Sequence, residues 1–197
     1  TQAMRSPGSG FKPIVYSLAL QSGFKWSDII FVSPISIKTY RPRTPTADYL
    51  QETTLLRALY RSMNTPTVEL SQKLGLKKIL EHAKKLGIES PLKDEFGTTL
   101  GSSAVTMVDI ARVYGTLANG GRKTPVHAIE RIETREGETI YERPQTPPEK
   151  VLAPQIAFLT TQGLKTVLSH GTGHPSRHLA KVAAGKTGTS NAATDNW

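Results

Sequence analysis

The sequence predicts an α+β chain in which helices dominate. Three observations carry that prediction. Apolar residues recur at helical spacing in a succession of segments, each bracketed by a hydroxyl residue, a proline or a glycine that can start or stop a helix. Residues around Gly137 read as a hairpin. The last part of the chain, Lys181 to Thr189, is an extended run of small residues.

The first helix is expected from about Ser9 or Gly10 through the apolar stretch Phe11 to Gln21, ending at Gly23. Pro13 fits there only in the first turn, where its missing N–H is not needed. Residues 31–49, with Pro34, Pro42 and Pro45, are expected to form an extended, irregular crossing. Thr53 or Thr54 can cap the next helix, which turns Leu55, Leu56 and Leu59 inward. Asn64-Thr65-Pro66 is a break, and Pro66 suits the first turn of a helix that runs to Gly75. A further helix spans about Leu76 to Leu86 and stops at Gly87, its lysines 77, 78, 84 and 85 forming a solvated face. Thr106 caps a helix that Asn119-Gly120-Gly121 closes. His127–Glu133 and Thr139–Glu142 are the arms of the hairpin, and Pro144 to Pro148 is a linker. Ala153 to Leu168 is a helix, and His170-Gly171-Thr172-Gly173 a flexible loop.

The 197 residues are 37% hydrophobic and 21% charged, enough apolar material for a packed core. No apolar run is long enough to span a bilayer. Cysteine is absent, which excludes disulfides, thiolate metal sites and a cysteine nucleophile. A net charge of +9 favours anionic partners. Nucleic acid is not among them: aromatics are only 7%, and the cations are scattered rather than gathered in a stripe.

Three short motifs can carry chemistry. Ser9-Gly10-Phe11-Lys12 puts a lysine one helical turn above a serine hydroxyl. Burial and a nearby cation would lower the amine's pKa and let it act as a base. The plain alternative is a capping serine with a chance lysine. Ser62-Met63-Asn64 lies at a helix–helix junction, where an asparagine also serves as an ordinary cap. Lys186-Thr187-Gly188-Thr189 offers a cation, two hydroxyls and a glycine that lets a ligand approach the backbone, a set suited to a carboxylate. Gly185-Lys186-Thr187 also matches the end of a phosphate-binding loop, but that pattern needs glycine where Ala180 stands. His170, His174 and His178 are spaced by four, yet the intervening Gly171, Gly173 and Pro175 prevent the helix that would align them on a metal. No cofactor is implied.

The order S-x-x-K, S-x-N, K-T-G is the set used by penicillin-binding proteins and related β-lactamases. Together with Leu59-Tyr60-Arg61-Ser62-Met63-Asn64-Thr65, Gly115-Thr116-Leu117-Ala118-Asn119-Gly120-Gly121 and Ala184-Gly185-Lys186-Thr187-Gly188-Thr189-Ser190, it resembles the transpeptidase domain of bifunctional class A penicillin-binding proteins, the 1A type. The resemblance implies a penicillin-binding-protein/serine β-lactamase-like fold, here mostly its helical part plus the K-T-G strand. It implies a D,D-transpeptidase that cross-links peptidoglycan stem peptides and is trapped by β-lactam antibiotics. Ser9 would be the acylated nucleophile, Lys12 its base, Ser62 a proton relay and Asn64 a holder of the substrate amide. Lys186, Thr187 and Thr189, around Gly188, would bind the terminal carboxylate, with the backbone N–H groups of Ser9 and Thr189 as oxyanion hole. A serine β-lactamase or β-lactam sensor is the rival enzyme reading; Met63 stands where class A lactamases have aspartate. A non-catalytic interaction fragment is the rival outside enzymology.

On this resemblance residues 1–197 are a partial transpeptidase domain with a hairpin-containing insert at about 123–150. The flanking sheet strands, the membrane anchor and the glycosyltransferase domain are expected outside this chain, and the whole protein in the cell envelope, on the extracytoplasmic (periplasmic) face of the bacterial inner membrane. The K-T-G strand is then expected to have an unpaired edge, and the face of Ile14, Val15, Leu18 and Leu20 to be partly uncovered, making the isolated chain poorly soluble or inactive.

Overall fold

The computed structural model describes residues 3–31, 52–123, 125–190 and 195–197. The crossing expected at 31–49 lies almost wholly outside them. Six helices, α1 (Lys12–Gln21), α2 (Leu55–Tyr60), α3 (Asn64–Leu74), α4 (Leu76–Leu86), α5 (Met107–Ala118) and α6 (Pro154–His170), form the framework of the described chain. A 3₁₀ turn, Gly8–Phe11, leads directly into α1, with Pro13 in the first turn as its missing N–H requires.

Helix α1 is the hub. It packs against α3, α4 and α6, and residues Lys12 through Leu20 are all buried. A helix apolar on nearly every side has to be enclosed on every side. Ile14 and Val15 have no exposed surface, and Leu18 and Leu20 keep less than a tenth of theirs. The expectation that this face is partly uncovered is therefore wrong: neighbouring helices, not a sheet alone, cover it. Its polar residues are paired. Ser17 Oγ lies 2.9 Å from His82 Nε2 of α4 and donates to the Ile14 carbonyl. Burial, with the nearby Lys85 charge, lowers the His82 pKa to about 4, so the ring is neutral at pH 7.

Helix α4 shows the two-sided pattern read from sequence. Ile79, Ala83 and Leu86 face the core, and lysines 77, 78, 84 and 85 are exposed. Thr54 caps α2 by accepting from Arg57 N. Thr106 and Asp109 form a capping box at the start of α5. Asp109 also accepts from Ser90 Oγ at 2.5 Å and Glu89 N at 2.9 Å, tying the α4–α5 connection to α5. Burial alone would raise its pKa. The Ser90 hydroxyl and the backbone donors outweigh that and hold it below the usual value.

The described strands are short and pair two by two, all antiparallel: β1 (Met4–Arg5) with β4 (Val105–Thr106), β2 (Ile29–Phe31) with β3 (Glu52–Thr54), β5 (Arg122–Lys123) with β8 (Glu149–Lys150), and β6 (Arg131–Glu133) with β7 (Thr139–Glu142). The β6–β7 hairpin turns at Gly137, whose φ of +89° suits glycine. Its first arm begins at Arg131, not His127. Glu130 takes both His127 and Arg143, which closes a local turn where the strand was expected.

The run 181–189 is not a ladder strand. Residues 183–188 are irregular, and Thr189 makes an isolated antiparallel bridge to Asn196. Gly188 and Trp197 exchange both backbone bonds at 2.9 Å, so the edge expected to be unpaired is partly covered by the chain itself. The 3₁₀ segment His174–Leu179 was not expected from sequence. Among the described residues no helix is long and apolar enough to cross a membrane.

The Asp109 network should be worth more than an ordinary cap. Asp109→Asn is expected to lower the unfolding free energy by about 2 kcal/mol, and Thr106→Ala by about 1 kcal/mol, in denaturant titrations at pH 7. A carboxylate of depressed pKa stabilises above its unfolded value of 3.8 and loses that contribution as pH falls through the folded one. The Asp109→Asn deficit should therefore shrink in acid.

Candidate active site

Ser9 sits in the 3₁₀ turn before α1, half-buried between Gly8 and Gly10. Gly8 has φ +48°, and a Cβ there would come within 2.3 Å of the Thr189 carbonyl oxygen. A Cβ on Gly188 would meet the Pro7 carbonyl oxygen at 2.4 Å and Gly10 N at 3.1 Å. Backbone thus lies directly on backbone, and only glycine permits the K-T-G segment to reach the serine turn. Tyr114 of α5 fixes the turn from behind, donating to the Gly10 carbonyl at 3.0 Å.

Lys12 opens α1 and has no exposed surface. Its amine donates to the Ser62 carbonyl at 2.6 Å, Asn64 Oδ1 at 2.8 Å and the Met63 carbonyl at 3.2 Å, with Ser62 Oγ at 3.3 Å. The α2–α3 junction is shaped to present those oxygens. Ser62 has φ +58°, a left-handed conformation uncommon for a residue with a Cβ, and ends α2 by donating from its N to the Leu59 carbonyl. Met63 then caps α3, and Asn64 is its first residue.

Lys186 approaches from the other side. Its amine donates to Ser62 Oγ at 2.8 Å and to the Thr187 carbonyl at 2.9 Å. Ser62 Oγ therefore lies between two lysine amines. The Lys186 stem lines a cleft of about 160 Å³ with Pro7, Ile110, Tyr114 and Trp197. Burial there lowers its pKa to about 7. Burial first, and the Lys186 charge second, bring Lys12 well below the usual lysine value.

The structure thus brings Lys12, Ser62, Asn64 and Lys186 into one hydrogen-bonded group and lays Gly188 and Thr189 against the Ser9 turn. Thr187 is half-buried, and Thr189 is exposed. His170, His174 and His178 are all exposed. Among the described residues no three metal-binding side chains gather. Sequence reasoning missed Thr172, whose hydroxyl lies 2.5 Å from Thr187 Oγ1. The segment read as a flexible loop is a pinned turn: Gly171 N and Gly173 N both donate to the Val167 carbonyl, and Thr172 N to the Tyr60 carbonyl. The two glycines flanking Thr172 were the available signal, since a tight seat for backbone needs them.

Comparison with known proteins decides the family. The sequence model for the penicillin binding protein transpeptidase domain matches residues 1–196. The chain belongs to that family. Penicillin-binding protein 1A of Rickettsia typhi is 33% identical over 225 residues, covering all of this chain and 29% of the relative. Its counterpart in Pseudomonas aeruginosa is 30% identical over 253 residues, covering 31% of its length. The chain therefore spans under a third of these relatives. Among solved structures, penicillin-binding protein 1A from Haemophilus influenzae superposes with a TM-score of 0.87 over 97% of this chain and 35% of its own, at 23% identity. Penicillin-binding protein A from Mycobacterium tuberculosis, as a ceftriaxone acyl-enzyme complex, gives 0.79 at 21% identity, over 95% of this chain and 48% of its own. The fold is that of a penicillin-binding-protein transpeptidase domain.

The two lysines should titrate apart from the rest of the family member's surface lysines. In ¹³Cε-lysine NMR, Lys186 is expected to titrate near pH 7. Removing its charge with Lys186→Met should move the Lys12 titration upward, because that charge is one of the two causes lowering it. An unmoved Lys12 resonance would show that the amines do not feel each other.

Proposed function

We propose that this chain is the penicillin-reactive part of a D,D-transpeptidase that cross-links peptidoglycan stem peptides through an acyl-enzyme on Ser9. The observation that carries the reading is the convergence of two buried lysine amines on the Ser62 hydroxyl beside the Ser9 turn. A serine hydroxyl is a weak nucleophile without a neighbouring base. Lys12, one turn from Ser9 and depressed in pKa, is the group that takes its proton. Ser9 Oγ then attacks the carbonyl between the last two D-alanines. The oxyanion is held by the backbone N–H groups of Ser9 and Thr189, a contribution of roughly 3 kcal/mol per donor. The proton passes from Lys12 through Ser62 Oγ to the leaving amine, and Asn64 holds the peptide amide. Lys186, Thr187 and Thr189, on either side of Gly188, receive the terminal carboxylate. An amine from a neighbouring peptide then takes the acyl group.

The coverage of under a third of its relatives supports a longer protein; in this reading residues 1–197 are part of one transpeptidase domain, with the hairpin region at about 123–150 as an insert. In this reading a glycosyltransferase domain and a membrane anchor lie elsewhere in that protein, which works on the outer face of the bacterial inner membrane. β-Lactams acylate the same serine.

Ser9→Ala in the full-length protein is expected to abolish covalent penicillin labelling, read by mass spectrometry, with melting temperature little changed. An adduct surviving in the alanine variant would end the assignment. Lys12→Arg should be nearly as damaging as Lys12→Ala, since arginine keeps the charge but cannot take a proton at neutral pH.

The pH profile of acylation should be a bell. The rate rises as Lys12 loses its proton, well below the usual lysine value. It falls as Lys186 loses its own, starting near 7 in the free enzyme, because the neutral amine no longer attracts a carboxylate. A flat profile between pH 5 and 9 (about the range His and perturbed Lys cover) would contradict both roles. Nitrocefin should give one stoichiometric burst; sustained turnover would favour a lactamase.

A further inference from the structure

The turn after α6 joins two of the three motifs, and nothing in the mechanism above uses it. Thr172 N donates to the carbonyl of Tyr60, the last residue of α2 and two before Ser62. Its hydroxyl lies 2.5 Å from Thr187 Oγ1 in the K-T-G segment. The seat is tight. A Cβ on Gly171 would come within 2.2 Å of the Tyr60 carbonyl oxygen and 2.9 Å of the Val167 carbonyl oxygen. The turn therefore cannot slide without breaking contact with the Ser62 junction.

We infer that Thr172 is a positioning residue for the carboxylate site, its hydroxyl holding Thr187 Oγ1 so that the Thr187 proton is directed at the substrate's terminal carboxylate. This rests on the reading of Thr187 as a carboxylate ligand. A hydroxyl carries one proton and can accept as well. The two threonines share one hydrogen bond, so one proton is committed to it. An anion accepts only, which leaves a single workable order: Thr172 donates to Thr187, and Thr187 donates to the carboxylate. The Thr187 main chain is already held, since Lys186 donates to its carbonyl at 2.9 Å. The side-chain torsion is the remaining freedom, and Thr172 removes it. Thr172 is itself exposed, so its hydroxyl can be replaced without opening a cavity in the core.

The test uses the full-length protein with penicillin G and its methyl ester, which differ only in the carboxylate. Thr172→Val keeps the shape and deletes the hydroxyl; Thr172→Ala is the second variant should valine perturb folding, and melting curves accompany both. The second-order acylation rate with the acid is expected to fall about tenfold, the loss of one hydrogen bond to a group that binds an anion. The rate with the ester should stay within about twofold, Thr172→Ser should restore the acid rate, and Thr172→Val/Thr187→Val should be no worse than Thr187→Val alone. Equal losses on acid and ester, or additive losses in the double variant, would overturn the inference and leave the turn a packing element. If Thr187→Val itself fails to separate acid from ester, the carboxylate role of Thr187 fails and this inference falls with it. If Thr187→Val separates them and Thr172→Val does not, this inference alone fails.

Discussion

A primary amine with no exposed surface is the constraint around which this chain is arranged. Lys12 has exchanged water for oxygens drawn from three consecutive residues, Ser62, Met63 and Asn64. Those oxygens converge only because Ser62 adopts a left-handed backbone between two helices. Helix α1 must then lie against α2 and α3, which it does. A buried amine deprived of such partners would cost several kcal/mol, a large part of a domain's whole stability. The same burial that makes the group expensive gives it a low pKa, so the structural burden and the chemical capability have one origin.

Much of this was legible in the residues. The helix boundaries at Gly75, Gly87 and Thr106 followed from capping chemistry and glycine, which act within a few residues and need no tertiary knowledge. The three motifs named residues that the structure brings together, Lys12, Ser62, Asn64 and Lys186, because their spacing and order are recognisable as a set. What failed to show was whatever depends on contacts across the fold. The 181–189 run reads as a strand by composition, yet Gly188 lies against the serine turn, and Thr189 and Gly188 pair with Asn196 and Trp197 rather than with a ladder strand. Glycines around Thr172 suggest flexibility when read locally. In the fold they mark a place where backbone from α2 and α6 comes too close for any side chain. The cover over Ile14 and Val15 was misjudged for the same reason: a sequence shows that a helix is apolar on all sides, but not which neighbours enclose it.

Glycine is the common device on both sides of the site. Gly8, Gly101, Gly171 and Gly188 each stand where a Cβ would press on a neighbouring backbone atom at 2.4 Å or less. Ser6 and Trp197 reinforce the same seam: Ser6 Oγ donates to the Gly101 carbonyl, and the Trp197 indole donates to the Ser6 carbonyl at 2.8 Å. The result is a serine turn held by main-chain contacts, whose geometry changes little with side-chain motion. Such a rigid frame suits oxyanion donors, which act best when they need no rearrangement as charge develops.

That seam also bears on how the chain reaches its native state. The bond from Lys186 to Ser62 closes across 124 residues, and that from Trp197 to Ser6 across 191. Contacts so distant along the chain are slow to form, because the entropy of closing long loops opposes them until local structure is in place. The helices can form from neighbouring residues, whereas the paired lysines meet only after the ends have been brought together. On the proposed mechanism, acylation at Ser9 is thus a late property of folding, and a partly folded molecule would carry all three motifs without the assembled pair of lysines.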